Sequence, residues 1–196
     1  MAKGRKVPPP TPPGDGLPDH RLQAQIADAV HGAITQLLRR DGSDCCAWYA
    51  ATAANIMPHI TGHKYTINSG SLELATAPDG RGFEMNAVDP LIADAEFHSL
   101  LVRDHGNGRF ELADLAARHW RTWAKRLGAS WQAPAPPDYI WCWASDLAAQ
   151  WPYYISYQAD LILTNKHIAY ITTGPGAPIL RQLSGAALKR LGRGPR

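Results

Sequence analysis

The stretch from Glu96 to Asp114 constrains the fold most. Two strand-like runs, Glu96 to Arg103 and Arg109 to Asp114, flank Asp104-His105-Gly106-Asn107-Gly108. Two glycines and an asparagine supply the positive φ that a tight reversal needs, so the two runs must pair antiparallel. A five-residue loop from Asp104 to Gly108, centred on Gly106, sets Val102 opposite Phe110, Leu100 opposite Leu112 and His98 opposite Asp114. Because side chains alternate along a strand, all six share one face. Four are apolar and are expected to pack on a core, and the last pair brings an imidazole beside a carboxylate. A slip of one residue would turn His98 or Asp114 to the opposite face.

Upstream, the spacing predicts two helices. Leu22, Ile26, Val30, Ala33 and Leu37 recur at helical period after Asp19, a candidate N-cap, until Gly42. Ser43 and Asp44 can cap a second helix from Cys46 to Met57, ending against Pro58. Its alanines permit close approach on every side, as a buried central helix requires. Tyr65, Ile67, Leu72 and Leu74 alternate like a strand broken by Gly70, which predicts a bulge or bend there. The segment Ala77 to Ala95 reads as loop, and Leu115 to Leu127 as a helix carrying Trp120 and Trp123. Tyr139 to Trp143, Tyr153 to Tyr157, Leu161 to Leu163 and Ile168 to Thr172 read as strands, and Ala186 to Leu191 as a short helix.

These elements fit one domain over residues 19–180, with a disordered proline-rich basic tail at 1–18 and a basic segment at 181–196. A composition of 45% hydrophobic and 19% charged residues, with 7 Trp and 7 Tyr, suits a folded chain with a full core. The formal charge of +3 is unevenly placed: the first segment sums to +2 and the last to +5, which leaves −4 for the body. A phosphate-tracking groove across the body is therefore not indicated, and nucleic acid is expected at most at the basic tails. The odd set of Cys45, Cys46 and Cys142, two of them adjacent, makes no disulfide framework and suits a reducing compartment. Neither a secretory apolar run nor a stretch of roughly 20 apolar residues is present, so a cytoplasmic protein without membrane association is expected.

The chemistry centres on Cys46. A cysteine in the first turn of a helix meets unpaired backbone N–H groups and the positive end of the helix dipole, both of which favour a thiolate. The same N–H groups could hold an oxyanion. A carboxylate that steadies a histidine, which serves a nucleophile, completes a Cys46, His98, Asp114 triad.

The run Cys46-Ala47-Trp48-Tyr49-Ala50 resembles the nucleophile helix of papain-like and transglutaminase-like proteins. Glu96-Phe97-His98 and Phe110-Glu111-Leu112-Ala113-Asp114 resemble the histidine and aspartate strands of transglutaminase-like and arylamine N-acetyltransferase-like enzymes, in the same chain order. The resemblance covers roughly Asp44 to Asp114. It implies an α+β fold of papain-like/transglutaminase-like type, with the nucleophile helix packed on an antiparallel sheet. It also implies thiolate attack on an amide, isopeptide or thioester carbonyl and an acyl-enzyme passed to water or an amine. In that scheme Cys46 is the nucleophile, His98 the base and then the acid, and Asp114 the orienter. The chain has neither an Arg-Gly-Gly approach nor a glutamine before Cys46, so the oxyanion hole is left open.

Cys45 is the rival nucleophile, since neighbours on a helix point about 100° apart and only one can face His98. The Trp-Tyr-Ala spacing favours Cys46. Cys142, between two tryptophans, reads as core. His59 and His63 have i, i+4 spacing, but Pro58, Thr61 and Gly62 predict a loop, so no metal and no cofactor is expected. His167 is a fallback base. Tryptophans belong to the core by default, with Trp48 and Trp120 expected to bind substrate and Trp123 a further candidate wall. The substrate would be a peptide, a protein or a small acyl compound. A catalytically inactive binding, adaptor or inhibitor protein on the same fold, encoded by a mobile element, is the alternative.

Overall fold

In a computed structural model, which describes residues 16–38, 41–85, 97–106 and 108–193, helices surround a mixed-length antiparallel sheet. The first helix, α1 (His20–Leu38), starts as expected, with the Asp19 carboxylate accepting from Leu22 N at 2.8 Å. Its buried stripe runs through Ile26, Val30, Ala33 and Ile34, and Leu37 turns outward. The second, α2 (Cys46–Thr61), passes through Pro58 and ends at Gly62, whose φ of 77° closes the helix in the left-handed region. Proline lacks an N–H and crowds the preceding turn, so it is tolerated here, one turn from the end.

The strands are β1 (Thr66–Ala75), β2 (Gly82–Met85), β3 (His98–Asp104), β4 (Phe110–Asp114), β5 (Ile140–Trp143) and β6 (Tyr154–Ala159). β2 lies inside the segment expected to be loop. Their order is β2-β1-β3-β4-β5, and β6 also pairs with β1. Along one edge, β1 pairs with β3 from Thr66 to Gly70 and with β6 from Gly70 to Leu74, so Gly70 stands where one partner hands over to the next. A Cβ at Gly70 would lie 2.0 Å from the Gln158 carbonyl oxygen, which explains why glycine breaks the alternation there.

The hairpin forms with its register two residues from the expected one: Val102 pairs with Leu112 and Asp104 with Phe110. The five-residue loop is His105 to Arg109, closed by His105 N donating to Arg109 O at 2.9 Å, with Gly106 and Gly108 at positive φ. An even slip preserves the faces, so His98 and Asp114 still look the same way, now as diagonal neighbours. Phe110, expected in the core, is instead exposed beside the turn.

After β4, a 3₁₀ turn (Ala117–His119) leads into α3 (Trp120–Arg126), and α4 (Leu147–Gln150) is a single turn. Leu161 to Thr172, expected as two strands, is the helix α5, and the expected short C-terminal helix is the longer α6 (Ala177–Arg190). Asp160 caps α5 by accepting from Ile162 N and Leu163 N, a signal that outweighs the β-branched residues downstream. α6 packs on α1 and α2 and buries Leu183 and Ala187, so residues 181–190 join the domain through one apolar face while Arg181, Lys189 and Arg190 stay exposed. Residues 1–15 of the expected tail lie outside the described residues. α2, enclosed by the sheet on one side and by α1 and α6 on the other, is the central helix its alanines predict. No helix among the described residues is long and apolar enough to cross a membrane.

Candidate active site

Cys46 is the first residue of α2, and Cys45 takes the N-cap position without a side-chain cap. Neither expected cap is formed: the Asp44 carboxylate pairs with Arg126, and Ser43 is held through its backbone carbonyl, which accepts from Trp123 Nε1. Among the described residues no side chain caps the first turn of α2.

The two cysteines face different neighbours. Cys45 acts electrostatically on Tyr49, whereas Cys46 acts on His98 and Tyr157. The Cys46 thiol donates to the Phe97 carbonyl at 3.6 Å, which places the sulfur at the start of β3, one residue from His98.

His98 and Asp114 are both fully buried, and His98 Nε2 lies 2.8 Å from Asp114 Oδ2. The other oxygen, Oδ1, accepts from Ala116 N at 2.9 Å. A carboxylate only accepts, so Nε2 carries a hydrogen and Nδ1 is the nitrogen that exchanges a proton with a partner. Nδ1 is buried and has no hydrogen-bond partner at ordinary geometry among the described residues. Burial works against the charged ring, but the Asp114 carboxylate, with Cys46 behind it, outweighs burial and holds the His98 pKa above the usual imidazole value. Trp123 stands edge-on to the ring at 5.2 Å between centroids, and Tyr157 at 6.3 Å, its hydroxyl donating to the His98 carbonyl at 3.5 Å.

β4 carries a second buried carboxylate, Glu111, on the opposite face. It accepts from Tyr65 Oη and Trp141 Nε1 at 2.6 Å each, and His105 Nε2 lies 2.8 Å from it. That network ties the sheet together and leaves Asp114 as the carboxylate on the thiol side.

A cavity of about 670 Å³ opens between α2 and α5, with Trp48, Phe97, His167 and Tyr170 among its walls; Cys46 and His98 do not line it, and Phe97, whose carbonyl accepts from the Cys46 thiol, stands between. Trp48 thus lines a cleft. Trp120 does not: it is fully buried, packed edge-on against Trp151 at 5.5 Å, and belongs to the core. Trp123 touches the His98 ring instead of an open wall. Cys142 is buried in β5, where burial pushes its thiol up to about 11. His59 lies in the last turn of α2 and His63 beyond Gly62, and no metal-holding group of three or more His, Cys, Asp or Glu side chains occurs among the described residues.

Sequence reasoning missed Phe97, Tyr157 and Tyr170. Phe97 was within reach as the neighbour of His98. Tyr157 comes from the strand exchange at Gly70, which leaves no local trace, and Tyr170 was hidden by reading α5 as strands.

No family model and no curated protein matches the chain. A solved structure, described as the crystal structure of genomics APC5867, is similar with a TM-score of 0.55 and 16% identity, covering 88% of this chain and 80% of that one. At that identity the likeness is one of fold alone, and the fold is a mixed helix and antiparallel-sheet α+β arrangement.

Proposed function

We propose that the chain is a cysteine-dependent hydrolase or acyltransferase of papain-like/transglutaminase-like fold, acting on an amide, isopeptide or thioester bond. The observation that carries this reading is the His98 ring, fully buried, bonded to Asp114 through Nε2 and open at Nδ1, with the Cys46 side chain beside it. Rotation of the thiol away from the Phe97 carbonyl brings its proton to Nδ1, and the resulting thiolate and imidazolium form the reactive pair. The sulfur attacks the carbonyl carbon, the α2 N–H groups face the oxyanion, and His98 returns its proton to the leaving group. Water or an amine then releases the acyl group.

Alkylation tests it. Iodoacetamide should label Cys46 much faster than Cys142, and His98→Ala should remove the difference. Slow, equal labelling of both cysteines in the unmodified protein would refute an activated thiol.

One observation favours a second reading, a binding or adaptor protein that keeps the fold without turnover: Cys46 is 6% exposed, and the Phe97 carbonyl 3.6 Å from its sulfur competes with the ring for the thiol hydrogen. Full biological effect from a Cys46→Ala variant would select that reading.

A further inference from the structure

The cavity beside Cys46 holds a histidine that the triad does not use. His167, in α5, is 7% exposed, and its ring packs on Phe97 at 4.2 Å between centroids. Its Nδ1 lies 2.8 Å from Ser69 Oγ, which in turn lies 2.7 Å from Ser99 Oγ. Ser69 is fully buried and Ser99 is 1% exposed, so neither hydroxyl has water to fall back on.

This short chain fixes which nitrogen carries the hydrogen. If His167 Nδ1 donated to Ser69, Ser69 would donate to Ser99, and the Ser99 hydrogen would be left buried without an acceptor among the described residues. A buried donor left unpaired forfeits its hydrogen bond to water without replacement, which disfavours this arrangement. If instead Ser99 donates to Ser69 and Ser69 donates to Nδ1, every hydrogen is used. The ring then carries its hydrogen on Nε2, on the side away from Ser69 and towards the cavity that His167 lines. Burial pushes the His167 pKa down to about 4, so the ring is neutral at neutral pH and offers a single donor.

The rest of the cavity is mostly apolar and aromatic, with two exposed charged side chains, Lys166 and the Arg126-paired Asp44, also in its lining. Trp48, Phe97 and Tyr170 supply rings, and Ala47 and Ile171 leave space between them. A volume of about 670 Å³ lies within the range of sites that enclose small organic groups. His167 is the buried polar group of this lining, Asp44 and Lys166 being exposed, and a buried neutral N–H among rings selects for a flat apolar group with an acceptor and against the same group without one.

We propose that this cavity binds an aromatic group bearing a hydrogen-bond-accepting oxygen, which the Nε2–H of His167 recognises. Its meaning as the substrate pocket rests on the reading of Cys46 as nucleophile, but its occupancy does not. Under that reading, His167 sets specificity and takes no part in bond breaking.

The full-length protein labelled with ¹⁵N-histidine provides the test, with acetophenone as the probe and ethylbenzene as the same shape lacking the oxygen. His167 should show a pyrrole-type Nε2 and a pyridine-type Nδ1, and acetophenone should shift the Nε2 resonance. A neutral hydrogen bond of about 1–1.5 kcal/mol corresponds to acetophenone binding roughly 5- to 10-fold more tightly than ethylbenzene. His167→Phe should erase that preference, His167→Gln should keep part of it through the amide donor, and Cys46→Ala should leave it unchanged. The inference falls if the wild-type ring carries its hydrogen on Nδ1, if the two probes bind alike, or if neither perturbs His167. The wild-type measurements decide the matter even where a variant fails to fold. Because binding is read in Cys46→Ala, a failed alkylation test leaves this result standing on its own.

Discussion

Replacing Asp114 with asparagine should switch off the thiol while nearly preserving the shape of the site. The carboxylate oxygens serve two buried donors, His98 Nε2 at 2.8 Å and Ala116 N at 2.9 Å. Asparagine has one oxygen to offer. If that oxygen stays on Ala116 N–H, the amide NH₂ faces Nε2, the ring hydrogen moves to Nδ1, and the ring can no longer accept a proton from Cys46. If the oxygen faces Nε2, the NH₂ and the Ala116 N–H confront each other as two buried donors. Either arrangement removes a hydrogen bond to a charged group, about 1.5–3 kcal/mol. At 1.36 kcal/mol per tenfold, the alkylation rate of Cys46 at neutral pH should fall roughly 10- to 150-fold. Peptide mapping after timed iodoacetamide exposure measures it, with Cys142 as the internal reference. Thermal melts supply a second readout. His98 has a folded pKa above its unfolded value of 6.5, so its contribution to stability is full below about pH 6.5 and is lost as pH rises through the folded value. The gap in Tm between wild type and Asp114→Asn should therefore be widest near pH 6 and narrow in alkali. A folded Asp114→Asn protein labelled within twofold of the wild-type rate would refute the reasoning.

Other substitutions separate the scaffold from the site. His119 accompanies His31 around the Tyr49 hydroxyl, and burial, helped by repulsion from His31, pushes its pKa down to about 4. A folded value below the unfolded one gives stability that is present above about pH 6.5 and lost as pH falls towards 4, so His119→Gln should flatten the acid side of the Tm profile. Gly70→Ala drives a Cβ to 2.0 Å from the Gln158 oxygen and must part β1 from β6. Overpacking of this kind costs about 1–3 kcal/mol, and the shift of Tyr157 should slow Cys46 labelling along with it. Trp120→Ala should cost about 3–5 kcal/mol in denaturant melts and leave the labelling rate of the folded protein unchanged, because Trp120 is core and does not line the cleft.

The parts legible in the sequence are those in which local chemistry and burial agree. α1 follows from its apolar spacing and the Asp19 cap, and α2 from its alanines. The hairpin follows from its glycines, and it tolerated a two-residue error in register because only odd slips exchange faces. The failures are places where two local signals compete. Leu161-Ile162-Leu163 and Ile168 to Thr172 look like strands, yet Asp160 caps a helix in which Leu163, His167 and Ile171, four residues apart, face inward. The basic residues of 181–190 suggested a solvated segment, yet Leu183 and Ala187 face the core while Arg181 and Arg190 stay outside. In both cases the inward stripe was in the sequence, and composition drew attention away from it.

What sequence could not supply is the meeting of β3 and β6 on one edge of β1. β6 runs along β1 as far as Gly70, and β3 takes over from the same glycine, so the last residues of one strand abut the first of the other. That junction gathers Tyr157 from β6, Phe97 and His98 from the start of β3, and α5 launched from Asp160, whose N–H donates to the Ser69 carbonyl at 2.8 Å. The α2 terminus is aimed at this junction. The strand start there leaves Phe97 bordering the cavity while His98, the next residue, is fully buried. Pairings between residues 70 and 159 carry no signature in either segment alone, whereas the triad residues do, because each sits on an element whose own pattern is strong. The residues of the proposed triad could therefore be named from the chain, while the neighbouring pocket, and His167 within it, depended on a contact between segments about 90 residues apart.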